Sequence, residues 1–128
     1  MTLTYFSSDS EFEEQMGYSR AVSDGDYLHV SGTTGFNYTT MNINDDVVEQ
    51  TRQCIQNIEN ILVEANLSLA DVVRVTYILP NRNDFEPCWP ILRDAFAQHP
   101  PAATMLVADL YDPRMKIEIQ VTARIKQV

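Results

Sequence analysis

The chain has 128 residues, 45% hydrophobic and 21% charged, with four Gly and six Pro, a balance that fits one globular domain and excludes a disordered or low-complexity chain. Eighteen acidic residues against nine basic ones give a formal charge of -9, and Lys and Arg are scattered, so phosphate backbones and anionic membranes meet no basic patch. The opening MTLTYFSSDSEFEE lacks the basic start and apolar run of a secretory signal, and no apolar stretch approaches the ~18 residues of a membrane span; a cytoplasmic location is expected.

In chain order, residues 18–23 and 27–31 are short strand-like runs separated by Asp24-Gly25-Asp26, which reads as a hairpin. From Asp45 to Asn66 the apolar positions Val48, Thr51, Ile55, Ile58, Ile61, Leu62 and Ala65 recur at spacings of mostly three and four, the pattern of an amphipathic helix. Asp45 or Asp46 is its expected N-cap and Asn66 its expected stop. The β-branched run Val72–Leu79 reads as a strand closed by Pro80. A second helix is expected from about Asp84 to Gln98, bent by Pro90 or starting later.

Residues 104–110 and 115–125 read as a final strand pair joined by a turn at Tyr111, Asp112, Pro113 and Arg114. In the second strand Ile117, Ile119, Val121, Ala123 and Ile125 fill one parity, and Lys116, Glu118, Gln120, Thr122 and Arg124 the other. Such a period of two fits a half-buried strand. The order predicts an α+β domain with one mixed sheet and two helices on a single face. The other sheet face then needs cover, and self-association is the expected source.

No Gly-rich phosphate loop, HExxH, CxxC or GxSxG occurs. Cys54 and Cys88 lie too far apart for a zinc site or disulfide scaffold and are expected to be reduced, helix-packing thiols. His29 and His99 lack an acidic or nucleophilic neighbour in sequence, so structural or surface roles are expected of both. Glu118 taken alone is a solvated residue on a polar strand face.

The ordered stretches GYSRAVSDGDYLHVSG, the amphipathic helix, DVVRVTYILPNRNDF and PAATMLVADLYDPRMKIEIQVTAR resemble the Rid (YjgF) family of reactive-intermediate deaminases over roughly residues 15–126. The SG after the hairpin, the ND-F before the second helix and the late KIEI carry the resemblance in combination. It implies one chorismate-mutase-like α+β domain across residues 1–128, assembled as a homotrimer whose sheets form a central barrel. Ligand pockets would lie in clefts between subunits. The implied partner is a small-molecule metabolite, and the implied reaction is hydrolysis of a reactive enamine or imine, released by pyridoxal-phosphate enzymes, to a keto acid and ammonia, with no cofactor and no metal.

Residue by residue, the resemblance implies roles for Tyr18, matching the family's pocket Tyr, and Glu118, matching the Glu that positions the attacking water. Gly32, the glycine of the SG, is placed with the substrate-binding residues. The Arg that clamps a substrate carboxylate is here Ala103, the frequent pocket Cys is Met105, and the pocket Asn of the second helix is Trp89. Arg20 shares the strand parity of Tyr18, and Arg114 that of Glu118 if the strand extends that far, so either would bring a cation to the cleft; salt bridges at a subunit interface are the alternative. Trp89 and Met105 are pocket walls or core packing. Two functions follow: a divergent hydrolase of an imine or enamine lacking a simple α-carboxylate, or a non-catalytic trimer that binds a metabolite or a partner protein. RNA cleavage, also attributed to this family, is disfavoured by the acidic balance.

Overall fold

The computed structural model describes residues 2–126, so Met1, Gln127 and Val128 of the predicted 1–128 domain lie outside the described residues. Two elements precede the region of recognisable pattern: a strand, β1 (Thr4–Phe6), and a short helix, α1 (Glu11–Met16). The Ser10 hydroxyl caps α1 by accepting from the Phe12 amide at 3.2 Å, and Gly17, at φ 75, ends it in the left-handed conformation. Buried Glu13 ties down the segment before the helix, accepting from the Ser7 hydroxyl at 2.9 Å and from the amide and hydroxyl of Ser8.

The predicted hairpin forms as β2 (Ala21–Ser23) and β3 (Tyr27–Thr34), paired antiparallel with Val22 opposite His29. Gly25 takes φ 96 at the turn, where a side chain would be strained. Asp24 organises the turn, accepting from the Asp26 and Tyr27 amides at 2.9 and 2.8 Å and pairing with His29 Nε2 at 2.9 Å. His29 therefore does have an acidic neighbour, supplied across the hairpin rather than along the sequence. It sits exposed on the sheet face away from the helices, and its role is in the turn.

The His29 hydrogen bond, with the two amides, holds Asp24 down to about 2. A carboxyl lowered by folding adds stability that is present above its unfolded value of about 3.9 and is lost as pH falls toward the folded value. Acid unfolding followed by circular dichroism should show a stability loss between about pH 4 and 2 in the native chain. Asp24→Asn should shrink that loss.

A small hairpin, β4 (Phe36–Asn37) with β5 (Asn42–Ile43), leads into α2 (Val47–Glu64). Asp46 is the N-cap, accepting from the Glu49 amide at 3.1 Å. Asn66 at φ 61 turns the chain out of the helix, as the sequence predicts. Strand β6 (Val72–Leu79) is followed by α3 (Phe85–Phe96), entered through a 3-10 turn at Arg82–Asp84. The helix continues through Pro90, whose absent N–H leaves only the Glu86 carbonyl without its usual partner.

The final elements are β7 (Ala102–Val107) and β8 (Glu118–Arg124), and they do not pair with each other as the sequence suggests. The sheet order is β1-β2-β3-β8-β6-β7. Helix α3 returns the chain to the start of the sheet, so β7 lies parallel to β6. Residues 108–117 then carry it past β6, and β8 enters antiparallel between β3 and β6. The strand predicted from Met115 begins at Glu118. Its alternation holds: Ile119, Val121 and Ala123 are buried, while Glu118 and Thr122 are half-buried and Gln120 and Arg124 exposed.

The core lies on that inner face, where Leu28, Val30, Val75, Leu79, Ile119 and Val121 meet Ile58 and Leu62 of α2 and Leu92 and Phe96 of α3. This is an α+β domain with a mixed sheet and its two main helices on one side. Cys54 and Cys88 are buried free thiols in that helix layer, Cys54 donating to the Thr33 carbonyl at 3.0 Å.

Candidate functional site

Glu118 is the first residue of β8 and faces away from the core, next to an irregularity in β3. Between the pairs Val30–Val121 and Thr33–Ile119, β3 uses two residues, Ser31 and Gly32, against one, Gln120. Such a bulge bends the strand and redirects its neighbours. It brings Gly32 under the Glu118 carboxylate so closely that a Cβ on Gly32 would lie 2.7 Å from Oε2. Glycine here leaves the Glu118 carboxylate its place, by close approach rather than by backbone angle.

Tyr18 and Arg20 arrive from the other side, on the segment between α1 and β2. The Tyr18 amide bonds the Glu13 carbonyl at 3.1 Å, fixing the exit from the helix. Arg20 is only 2% exposed, and its Nη2 donates to the Gly32 carbonyl at 2.6 Å. Its guanidinium carbon lies 5.7 Å from the Tyr18 ring centre and 5.4 Å from that of Tyr38, within cation–π range of both. The Tyr38 hydroxyl accepts from the Thr34 amide at 3.0 Å. Arg20 thus braces the bulge and the two tyrosines that flank it.

Above these groups lies a cavity of about 110 Å³ lined by Tyr18, Gly32, Thr34, Tyr38 and Glu118, with Phe12, Met16, Tyr111 and Met115 completing its apolar wall. Burial pushes the Glu118 carboxyl above its usual range, and the nearby Arg20 charge offsets part of that; no hydrogen-bond donor among the described residues contributes. Burial likewise pushes the Tyr18 phenol up, again partly offset by Arg20, so it stays protonated at neutral pH. The arrangement offers a desolvated carboxylate with unused acceptor capacity beside a phenol that can donate. Such a pair can orient a water molecule and take its proton.

Of the residues singled out in the sequence, Tyr18, Gly32 and Glu118 line this cavity, and Arg20 lies behind it. The others lie apart within the single chain. Arg114 is held by Asp112 through Nε at 3.0 Å and Nη2 at 2.7 Å, with its guanidinium 5.1 Å from the Phe36 ring, and is not a free cation for the cavity. The Asp112 partner was not apparent from strand parity because Arg114 precedes the strand. Met105 pairs with Tyr77, which pairs with Ile119, so Ala103 and Met105 share the sheet face opposite to Glu118. Trp89 is 46% exposed and Met105 38%, so neither is core packing. Trp89 instead borders an apolar groove with Phe85, its ring 6.0 Å away, and Tyr77.

Phe12, Met16, Thr34, Tyr38, Tyr111 and Met115 are the lining residues that strand and motif reading did not pick out. A signal for the first two is present: Ser10 and Glu13 have capping-box spacing and Gly17 follows as a stop, which places Phe12 and Met16 on one helical face. Among the described residues no group of three or more His, Cys, Asp or Glu is placed to hold a metal ion, and no helix is long and apolar enough to cross a membrane.

The family model described as Endoribonuclease L-PSP matches residues 8–125. A RutC family protein of Pyrococcus horikoshii is 33% identical over 107 residues, covering 83% of this chain and 85% of its own. The mitochondrial protein MMF1 of Saccharomyces cerevisiae is 26% identical over 122 residues, covering 95% and 84%. Among solved structures, a member of the YjgF/YER057c/UK114 family from Mycobacterium tuberculosis superimposes with a TM-score of 0.86 at 34% identity, covering 97% of this chain and 100% of that one.

Proposed function

The chain belongs to the Endoribonuclease L-PSP family, which includes the YjgF and RutC proteins, and from that footing we propose that it hydrolyses a small reactive imine or enamine in the cavity over Gly32. Glu118 positions the attacking water and Tyr18 hydrogen-bonds beside it. The observation that carries this reading is the Glu118 carboxylate: half-buried, turned into a cavity, and accepting no hydrogen bond from the described residues.

The chemistry balances without a cofactor. Water oxygen attacks the imine carbon while the C=N π electrons move to nitrogen, and Glu118 accepts the proton that the water gives up. The protonated carboxyl then returns that proton to the nitrogen of the carbinolamine. Glu118, again ionised, takes the hydroxyl proton of the carbinolamine and passes it to the nitrogen, so the C–N bond breaks as the carbonyl forms and ammonia leaves. Holding water and imine together in a desolvated site supplies most of the advantage.

Loss of the carboxylate clamp at Ala103 favours a second reading, a metabolite-binding protein without turnover. Imines generated in situ by an amino-acid or amine oxidase distinguish the two. Addition of the chain should accelerate ammonia release and lower the yield of a semicarbazide-trapped adduct. A broad panel with saturable binding and no acceleration would leave only the binding reading.

The homotrimer with a central barrel is part of the proposal. Strand β7 is exposed along its whole length and carries Met105, Leu106 and Val107 at a sheet edge, the kind of edge that a further copy covers. The same assembly would bring Trp89, Ala103 and Met105 of one copy toward the cavity of another. The acidic balance speaks against an RNA substrate, and the cytoplasmic location remains proposed beside a relative whose name is mitochondrial.

A further inference from the structure

We infer that the ligand of the Glu118 cavity is a small organic cation, an ammonium or iminium that carries no carboxylate, held through its N–H groups by Glu118 and through its carbon atoms by the aromatic wall. The inference rests on the Glu118 cavity being the ligand site and does not require that the ligand be hydrolysed.

The lining contains one carboxylate and no Lys, Arg or His. The nearby cations lie outside that lining, and of these Arg20 keeps its Nε without a hydrogen-bond partner among the described residues. Arg20 is buried, with Nη2 on the Gly32 carbonyl and its guanidinium against Tyr18 and Tyr38. Arg114 is paired with Asp112, and the Lys116 ammonium bonds the Asp45 carbonyl. A carboxylate ligand would therefore meet Glu118 with no cation in the lining beside it, Arg20 acting only from behind the tyrosines, and two carboxylates sharing a desolvated site repel strongly.

A cation meets the opposite conditions. Glu118 has acceptor capacity that the chain leaves unused. Phe12, Tyr18, Tyr38 and Tyr111 surround the space with aromatic rings, and Met115 adds a polarisable sulfur. Arg20 opposes the cation, but it lies behind the tyrosines, while a ligand N–H would sit at hydrogen-bond distance from the carboxylate. Coulomb energy falls with distance, so the nearer partner dominates. The net charge of -9 raises the local concentration of small cations further. The cavity volume of about 110 Å³ is small, which suits an amine of few carbons.

Titration calorimetry on the intact chain tests this with pyrrolidinium and trimethylammonium against acetate and propionate. The cations should bind at least about tenfold more tightly than carboxylates of similar size. Glu118→Gln, and independently Tyr111→Ala at a residue 87% exposed and so dispensable for folding, should each weaken cation binding, the first by about tenfold or more. Equal or tighter binding of the carboxylates, or unchanged cation affinity in Glu118→Gln, would overturn the inference. Cation binding without turnover of any imine would remove the hydrolytic reading and leave this one standing. Efficient turnover of imines bearing a carboxylate would do the reverse.

Discussion

Glu118→Gln is expected to lower kcat/KM for an imine substrate by about 10²- to 10⁴-fold, the usual contribution of a positioned acid–base group, while the chain stays folded. The amide matches the carboxylate in shape, so the fit over Gly32 survives, but it cannot take a proton from water. Stability should not fall at neutral pH. A carboxyl raised by folding favours the protonated form, so its stabilising contribution is present below the unfolded value of about 4.3 and is lost as pH rises through the raised folded value. At pH 7 the ionised group is a cost that the amide lacks. Thermal unfolding of the two chains at pH 7, beside a pH profile of kcat/KM, checks both halves. The native profile should show an acid limb above the usual carboxylate range, and Glu118→Gln should lack it. Retained activity in that variant would remove Glu118 from the chemistry.

The inner face of β8 was legible because a period of two has one reading when five apolar residues share a parity, and Ile119, Val121 and Ala123 are buried accordingly. Helix α2 was legible for the same reason, and Asp46 and Asn66 mark its ends by local chemistry that needs no tertiary information. The pairing of β7 was not. Adjacent strands in sequence suggest a hairpin, but the slot beside β6 is filled after α3 by β7 in parallel, and β8 must then take the other edge of β6.

The site divides along the same line. Tyr18, Gly32 and Glu118 came from motif positions, and the fold brings them to one cavity. Parity suggested Arg20 and Arg114 as free cations, but parity reports direction and not what waits there: the Gly32 carbonyl takes one and Asp112 the other. Tyr38 and Tyr111 lie in segments without periodicity, so nothing local marks them as lining residues.

Alanine at each of two glycines should separate fold from function. At Gly35 a Cβ would lie 2.6 Å from Cα of Gln50 and 2.7 Å from its carbonyl oxygen, both backbone atoms of α2 that cannot rotate aside. The helix must shift, and Gln50 is the residue least able to follow. It is fully buried, donating to the carbonyls of Asn44 and Arg114 at 2.7 and 2.9 Å and accepting from the Lys116 amide at 2.9 Å. Overpacking with strain on those bonds should cost about 3 kcal/mol, a fall in Tm on the order of 10 °C for a chain of this size. At Gly32 the obstacle is the tip of Glu118, which can swing away at small cost in stability, within about 1 kcal/mol. That swing carries the carboxylate off its water, and a displacement of about 1 Å can cost roughly 100-fold in rate. Gly32→Ala should therefore unfold near the native temperature with most activity gone. Full activity in Gly32→Ala would mean that the position of the carboxylate over the bulge does not matter to the reaction.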